Sequence, residues 1–509
     1  MGVSKEIVHI KWKRNSAVIV VSSLSALKRY PALVGSFLGT TLMAISYLIQ
    51  AGLPKYFSGD DYLLLMASRS TDGYASSFVG CLNDIGMGKW RPMFVCTAVP
   101  VLRLFDDNYL GFFLLNLFLI FLISLTAGAL LQRSNKISKW QIAICAFAIP
   151  FSRFAWYGRI SPFGLMEFGA LLFALLFARQ YIVALEKRTK ISWYLAGALA
   201  CLSALFHERY LVLFAAGFLV ALFNTRNKKL QVPLGPWLVY SAFLLAVKVF
   251  LLRTDPLVGG GEASLRSSID TWVLEHFLFG LKAIAGLGNG TNIGFDISGY
   301  VRVPALGVLG KAWMLVLLLL MIFVAITKTS FRSINRISET DATSESFQRE
   351  KVLYQLLITS GFFLLIPAST IISRIEGRWL FGPEVFLFLL VVVVLRSSKL
   401  RIMICSCFLL FSVACLKFLP DYEQPVTLSN QVLEYVDEKL DGRTQLVYTI
   451  IDPANRPQLI DWMDWVLGRG DKFKQIGVQS VRYVGNNKCQ GSCIRLVFTD
   501  SERFEFVRS

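Results

Sequence analysis

The sequence is short of charged residues. Only 17% of its 509 residues are Asp, Glu, Lys or Arg, whereas a soluble protein of this length carries about a quarter. Forty phenylalanines and repeated apolar runs of roughly 20 residues are typical of a polytopic membrane protein. The low charge therefore excludes an ordinary soluble protein. The net charge of +18 accordingly concerns the membrane loops, and no nucleic-acid partner is expected.

The N-terminus lacks a convincing signal-peptide cleavage site. An apolar run of about 13 residues lies there between basic clusters, which is too short to cross a bilayer. Another apolar run follows at once, so a secretory signal is not favoured. We predict that residues 1–31 form an amphipathic segment on the cytoplasmic face.

The tail after residue 421 lacks histidine. Its cysteines, Cys489 and Cys493 in "KCQGSC", are the exception among nine that otherwise lie mostly in apolar runs. A zinc site would need two further ligands, so a small disulfide loop in an oxidising compartment is favoured over a metal site.

Eleven membrane spans are predicted along the chain. Their approximate limits are 32–53, 109–131, 141–157, 162–185, 192–206, 210–224, 236–252, 310–327, 352–373, 379–395 and 402–419. The fifth and sixth are short, and one long element broken at "FHERY" is the alternative.

The distribution of basic residues predicts the orientation. One set of connections, including "QRSNKISK", "EKRTK" and "NTRNKK", is rich in Lys and Arg, and the alternating set is much less basic. The positive-inside rule places the basic set in the cytoplasm. The N-terminus is then cytoplasmic and the C-terminus external, which in a bacterial inner membrane is the periplasm. The alternation holds through all eleven spans.

The external side receives two long loops, three short turns and the tail. The first loop covers 54–108 and the second, glycine-rich loop covers about 253–309. The tail mixes helix-like segments with the strand-like "TQLVYTII", "VQSVRYV" and "CIRLVFTD". We therefore predict a membrane domain over 32–420 and a small α/β domain over 421–509.

The charged turns that are candidates for function all fall on this external side. Ionisable groups at membrane depth are costly unless they are paired or hydrated, so they are candidates for function. The candidates are Asp60, Asp61, Arg91, Arg153, Arg159, His207, Glu208, Arg209, Arg374, Glu376 and Arg378. Blander interpretations stay open, because "HERY" can be a polar turn and "RIEGR" can be neutralised internally by Glu376.

The combination of acids and arginines suits one kind of chemistry. Arginines at a bilayer surface offer planar, multidentate donors to phosphate, and a nearby carboxylate can act as general base towards a hydroxyl. Transfer of a group from a lipid phosphate uses both, because the leaving phosphate is stabilised by the arginines. Asp60 and Asp61 point about 100° apart if they are helical, so they need not share a task.

The pattern resembles the GT-C superfamily of glycosyltransferases, which use polyprenyl-phosphate sugars as donors. The resemblance rests on "SGDDY" after the first span, "GKWRP" later in that loop, "HERY" in a tight turn, and "RIEGRWLFGPE" near the end of the membrane part. It is similar in particular to bacterial serotype-converting glucosyltransferases, which modify O-antigen. Mannosyl-, arabinosyl- and aminoarabinosyl-transferases of the same fold stay open.

The resemblance implies roles for the candidate residues. Asp60 or Asp61 would be the base that deprotonates the acceptor hydroxyl, with Asp60 favoured, and transfer would invert the anomeric carbon. The residues implied to grip the donor phosphate are Arg91, Arg159, Arg209, Arg374 and Arg378. Trp90, His207, Glu208 and Glu376 would position the substrates. No cofactor is certain, and a divalent cation, Mg²⁺ or Mn²⁺, is left open.

Two other functions compete with this interpretation. A flippase or transporter of a lipid-linked saccharide predicts charges spread through the membrane and inverted repeats, neither of which is evident here. An O-antigen polymerase or ligase shares the donor but usually centres its site on one large external loop. The expected partners are a polyprenyl-phosphate sugar, a glycan acceptor such as O-antigen, and membrane lipids. The sequence does not indicate an oligomeric state.

Overall fold

A computed structural model describes most of the membrane part of the chain and the strands of the tail. The described residues are 29–54, 61, 64–65, 68–69, 91–106, 108–134, 136–225, 233–246, 271–284, 345–370, 377–395, 397–417, 419, 430–431, 433–435, 438, 446–451, 481–483, 494–498 and 504–508.

The helices whose bounds fall within the described residues lie between residues 31 and 416. They are α1 (Pro31–Gln50), α2 (Pro92–Phe105), α3 (Tyr109–Leu131), α4 (Lys139–Ala148), α5 (Trp156–Ile160), α6 (Gly164–Lys187), α7 (Lys190–Phe206), α8 (Val212–Thr225), α9 (Gly235–Ala246), α10 (Thr271–Ile284), α11 (Glu345–Thr370), α12 (Phe381–Val394) and α13 (Ser398–Leu416). Short 3₁₀ turns cover Ile149–Phe151, Arg153–Ala155, Glu208–Leu211 and Gly377–Leu380.

Six of the helical segments in the described part of the chain are long and apolar enough to cross a membrane. They are Pro31–Gln50, Tyr109–Leu131, Gly164–Lys187, Arg349–Ala368, Gly377–Val394 and Ser398–Leu416. These segments coincide with the first, second, fourth, ninth, tenth and eleventh predicted spans. Large apolar side chains such as Phe37 and Phe118 are exposed on their outer faces, as expected where lipid is the solvent. The chain is a multi-pass membrane protein by its helix composition.

The shorter helices explain why the predicted count of eleven spans stays a prediction. The fifth, sixth and seventh predicted spans contain helices of 17, 14 and 12 residues within the described ranges. A helix needs about 20 residues to cross the hydrocarbon unaided. The eighth predicted span, 310–327, lies outside the described residues, and so do residues 1–28 of the N-terminal segment.

The third predicted span, 141–157, is not one continuous helix. A capping box formed by Ser138 and Gln141 starts α4, and the helix ends at Ala148. Pro150 follows in a 3₁₀ turn, because proline has no N–H to donate and its ring clashes with the preceding turn. The chain then passes through the second 3₁₀ turn into the five-residue helix α5. An apolar run alone did not reveal this break.

The "FHERY" stretch separates two helices. His207 has an extended backbone, with φ −151° and ψ 122°, and ends α7. The 3₁₀ turn Glu208–Leu211 follows, and α8 begins at Val212. The break predicted at this position is therefore present. It places His207, Glu208 and Arg209 next to one another between the two helices.

Helix α6 lies at the centre of the helical core, with 17 of its 24 residues buried. It packs against α3 and α7. At one edge of the core, α1 packs closely on α4 because Gly35 and Gly39 have no side chains. A Cβ at either glycine would meet the carbonyl oxygen of Ala143 or Phe147. This G-x-x-x-G spacing is a common way for membrane helices to approach.

At the C-terminal end of α6, ion pairs join it to the ends of neighbouring helices. Glu186, in its last turn, accepts hydrogen bonds from Arg133 at the end of α3 and from Arg349 near the start of α11. Lys136 and Glu350 pair beside them. All five residues lie in or beside the Lys- and Arg-rich connections that the sequence assigns to the cytoplasm.

The tail contains a four-stranded sheet. Its strands are β1 (Leu446–Ile451), β2 (Val481–Tyr483), β3 (Ile494–Phe498) and β4 (Phe504–Arg508), in the order β2-β1-β3-β4. Strand β1 pairs in parallel with β2 and β3, and β3 pairs antiparallel with β4. Three of these strands coincide with the strand-like segments noted in the sequence. The limits of an α/β domain at 421–509 remain a prediction.

Several predicted features lie outside the described residues. They are Asp60, Trp90, Arg374, Glu376, Cys489 and Cys493, together with most of the second long loop. The described part of that loop, residues 271–284, forms the helix α10, which the glycine-rich composition did not predict.

Candidate active site

A group of charged side chains gathers where four segments meet. The segments are the N-cap of α2, the first turn of α6, the turn between α7 and α8, and the 3₁₀ turn before α12. The group, called here the polar cluster, consists of Arg91, Glu167, His207, Glu208, Arg209, Arg378 and Trp379.

Arg91 and Glu208 form a two-pronged ion pair. Arg91 Nε and Nη2 donate to Glu208 Oε2 and Oε1, each at 2.8 Å. Only 15% of the arginine side chain and 21% of the glutamate side chain are exposed. This fork-to-fork geometry is the strongest arrangement available to the two groups. Two residues 117 positions apart in the chain are thereby held together.

Both members of this pair stay charged. Burial acts to raise the pKa of Glu208, but Arg91 and His207 outweigh it and hold that pKa well below its usual range. Burial acts to lower the pKa of Arg91, but Glu208 raises it above its ordinary value. The two shifts agree in describing a carboxylate and a guanidinium that stabilise each other.

His207 lies between two carboxylates. Its ring is fully buried, with Nε2 3.2 Å from Glu167 Oε1 and Nδ1 3.0 Å from Glu208 Oε2. The extended backbone of His207 places the ring in this position, because a continued helix would turn it to another face. The imidazole therefore joins the first turn of α6 to the α7–α8 turn.

Arg209 and Trp379 bring the late part of the chain into the polar cluster. The Arg209 Cζ atom lies 3.8 Å from the centre of the Trp379 ring, which is a close cation–π contact. Arg209 Nη1 is also 3.7 Å from Glu167 Oε1. Arg378 lies near enough to Arg91 to act on it electrostatically, and its Cζ is 5.9 Å from the Phe163 ring centre.

Asp61 occupies a second position near the start of α6. Only 5% of this residue is exposed, and Ser161 Oγ donates to Asp61 Oδ1 at 2.6 Å. Ser161 comes six residues before Glu167 in the chain. Asp61 and the polar cluster therefore both contact the segment that covers residues 161–167.

Arg159, two residues before Ser161 in the chain, is fully buried. Its Nη2 donates to the backbone carbonyls of Pro150 at 2.8 Å and Ser152 at 3.1 Å. These carbonyls belong to the segment where α4 is broken, and the Ser152 carbonyl also accepts from Ala155 N at 3.2 Å. In this arrangement Arg159 holds the turn together, and the phosphate contact implied for it by the resemblance stays a prediction.

The structure brings five of the predicted site residues into the polar cluster, namely Arg91, His207, Glu208, Arg209 and Arg378. It places Asp61 and Arg159 at the neighbouring turn that precedes α6. The functional roles predicted for all of these residues stay predictions.

Several polar residues of this region were not predicted from the sequence. Glu167 and Glu384 are single acids inside long apolar runs, and both are buried. The cost of an ionisable group in a membrane helix was a usable signal for both. Asn116 and Ser161 carried a weaker signal, because uncharged polar residues are common in membrane helices.

Within the described residues, no group of three or more His, Cys, Asp or Glu side chains is arranged to hold a metal ion. Glu167, His207 and Glu208 are occupied instead by contacts with each other and with arginines.

A scan against protein-family models gives no match, and searches of curated proteins and of solved structures give no significant match. No relative therefore supplies a function for the polar cluster. Its chemistry has to be inferred from its own residues.

Proposed function

We propose that this protein is an integral membrane glycosyltransferase. It would move a single sugar from a polyprenyl-phosphate donor to a cell-envelope glycan such as O-antigen, at the periplasmic face of a bacterial inner membrane. The observation that supports this most is that carboxylates and arginine side chains lie close to the start of α6. Asp61 contacts Ser161 there, and Arg91, Arg209 and Arg378 lie near enough to Glu167, six residues further on, to act on it electrostatically.

The donor phosphate would bind on the arginines. Each guanidinium carries five N–H donors, and Arg91 uses its Nε and one Nη group on Glu208, which leaves further donors for phosphate oxygens. The buried carboxylate of Glu167 and the partly buried carboxylate of Glu208 would keep Arg91 and Arg209 in place before the donor arrives. A preorganised guanidinium loses less entropy when it binds phosphate than a free one does.

The reaction would be a direct displacement. A carboxylate takes the proton of the acceptor hydroxyl, and the hydroxyl oxygen forms a bond to the anomeric carbon from the side opposite to the phosphate. The bond between the anomeric carbon and the phosphate oxygen breaks, so polyprenyl phosphate leaves with one additional negative charge. The arginines would stabilise that charge as it develops.

The two adjacent acids would divide this work. Asp61 is buried and accepts a hydrogen bond from the Ser161 hydroxyl, which suits a residue that orients its neighbours. Asp60 is then the proposed base. Arg209 stacked on Trp379 would complete the donor side of the pocket.

The decisive experiment measures sugar transfer in membranes that contain Asp60→Asn or Asp61→Asn. Glucosyl, mannosyl and aminoarabinosyl polyprenyl phosphates would be supplied in turn, with and without EDTA, to test the metal requirement as well. Loss of a general base lowers a rate by about 10²–10⁴-fold, and we expect the larger loss in Asp60→Asn.

Asp106→Asn is the matched control. Asp106 belongs to the same loop but is exposed, and it accepts hydrogen bonds from Arg69 at 2.6 and 2.9 Å. Transfer should continue normally in this variant. Normal transfer in both Asp60→Asn and Asp61→Asn would overturn the assignment of the base.

The proposed orientation has an independent test. Alkaline phosphatase fused to the C-terminus is active only in the periplasm, so an active fusion is expected. A silent fusion would put the polar cluster on the cytoplasmic side and remove the proposed periplasmic reaction.

A further inference from the structure

A second set of polar side chains lies between α12 and Asp61, entirely inside the protein. It consists of Glu384, Ser152, Arg159, Asn116, Ser161 and Asp61, and each of these residues is at most 6% exposed. We call this set the buried network. Such groups inside a membrane protein are costly unless they are hydrogen-bonded, so their arrangement calls for a reason.

The buried network is continuous from one end to the other. Ser152 Oγ donates to Glu384 Oε2 on α12, and the Ser152 carbonyl accepts from Arg159 Nη2 at 3.1 Å. Asn116 Nδ2, in the middle of α3, then donates to the carbonyls of Arg159 at 3.3 Å and Ser161 at 2.9 Å. Ser161 Oγ finally donates to Asp61 at 2.6 Å.

Asn116 fixes the backbone on both sides of this turn. Its amide bridges carbonyls two residues apart, that of Arg159 in the last turn of α5 and that of Ser161 between α5 and α6. Packing around it is tight, because a Cβ on Gly164 would come within 2.7 Å of Asn116 Oδ1 and would also meet the Gly158 carbonyl oxygen. The position of Ser161 is therefore set by α3 as well as by its own segment.

We propose that Asn116 and Ser161 are positioning residues that hold Asp61 against the segment that leads into α6. This inference rests on the proposed glycosyltransferase function. Neither residue would touch substrate. Their effect on sugar transfer would pass through Asp61, whose carboxylate accepts a hydrogen bond from the Ser161 hydroxyl.

The first test is kinetic. Ser161→Ala should lower kcat for sugar transfer by about 10–100-fold, the size expected for a catalytic group displaced by an ångström, while KM for the donor stays close to wild type. Ser161→Thr keeps a hydroxyl and should recover most of the rate. Asn116→Leu should lower kcat in the same way without touching Asp61.

Ser203→Ala is the matched control, because Ser203 is an equally buried serine that donates to a backbone carbonyl, that of Ala170, at 2.6 Å. Its kcat should stay near wild type. Equal rates in wild type, Ser161→Ala and Ser203→Ala would overturn the inference. So would equal losses in both alanine variants with no recovery in Ser161→Thr, because that result describes packing alone.

The second test does not need activity. Melting temperatures of the purified protein are compared for Ser161→Ala, Asp61→Asn and the double variant. If the hydroxyl and the carboxylate hold each other, the double variant loses less than the sum of the single losses. Simple addition of the losses overturns the link.

The two tests together separate this inference from the proposed function. Non-additive melting temperatures in a protein that transfers no sugar from any donor would reject the glycosyltransferase proposal, and the positioning role in catalysis with it. Active wild-type protein with additive losses would reject the inference alone.

Discussion

The two ends of helix α6 carry one glutamate each, and the protein uses the two glutamates differently. Glu167 and Glu186 are 19 residues apart, or about 28 Å along the helix, which is close to the thickness of a bilayer core. Glu167 is buried between His207 and Arg209 in the polar cluster. Glu186 pairs with Arg133 and Arg349, whose side chains are 30% and 34% exposed.

The difference lies in what each arrangement costs. Exposed pairs such as those of Glu186 lose little hydration and contribute at most about 1 kcal/mol each. Groups in the polar cluster give up water, so each must find partners that replace it. A protein that needed only to tie helices together could use the exposed arrangement at both ends. The buried end is therefore where a function is expected.

The largest effect should come from breaking the two-pronged pair of the polar cluster. Arg91→Met leaves the Glu208 carboxylate partly buried without its main partner, which should cost about 2–4 kcal/mol of unfolding free energy. The double variant Arg91→Met with Glu208→Leu removes both charges and should be more stable than Arg91→Met alone. Stability is measured by thermal or SDS unfolding in mixed micelles.

The interpretation would be contradicted if the double variant lost as much unfolding free energy as Arg91→Met and Glu208→Leu lose in total when each is measured alone. It would mean that Arg91 and Glu208 act independently, and that the polar cluster resembles the exposed end more than its burial indicates.

A smaller effect separates the two glutamates of α6 directly. Glu167→Gln keeps the shape of the side chain but removes the charge that faces His207 and Arg209, and should cost about 1–3 kcal/mol. Glu186→Gln makes the same chemical change at the exposed end and should cost less than about 1 kcal/mol. The same unfolding assay compares them. Equal losses would mean that burial does not distinguish the two ends.

Salt sharpens the same comparison. The loss in Glu186→Gln should shrink further at high ionic strength, because exposed charges are screened. The loss in Glu167→Gln should change little.

The smallest effect concerns pH. Because Arg91 and His207 hold the pKa of Glu208 well below its usual range against the opposing effect of burial, the folded state favours the carboxylate. Its contribution to stability is complete above the ordinary glutamate pKa, about 4.3, and is lost only as the pH falls from there through the lower folded value. Wild type and the double variant at positions 91 and 208 should therefore change melting temperature in parallel between pH 8 and pH 5.

Below this range the two curves should converge as wild type loses the pair. A divergence that begins near neutral pH would contradict the assigned direction of the pKa shift.

Sequence alone predicted the long helices well and the shorter breaks less well. The second predicted span, 109–131, has the same limits as α3, because an uninterrupted apolar run of that length has one stable form in lipid. The span predicted at 141–157 is divided, since Pro150 ends the helix while the apolar character continues.

The candidate site was predictable in part. Charged residues at the ends of apolar runs indicated Arg91, His207, Glu208 and Arg209, because each is costly in that position. Which charges pair with which could not be derived, since Arg91 and Glu208 meet only through the packing of α2 against α7. Single polar residues inside a helix, such as Asn116, give no sign of their partners in the linear sequence.

The break after α4 has a consequence for the order in which the protein is assembled. Arg159 satisfies the carbonyls of Pro150 and Ser152, which precede it by nine and seven residues, so this turn can complete itself as soon as the segment leaves the ribosome. Arg91 must wait for Glu208, 117 residues later, which corresponds to roughly 6–23 s of synthesis. The scaffold around Asp61 can thus close early, while the arginine side of the polar cluster is completed only after the α7–α8 turn has entered the membrane.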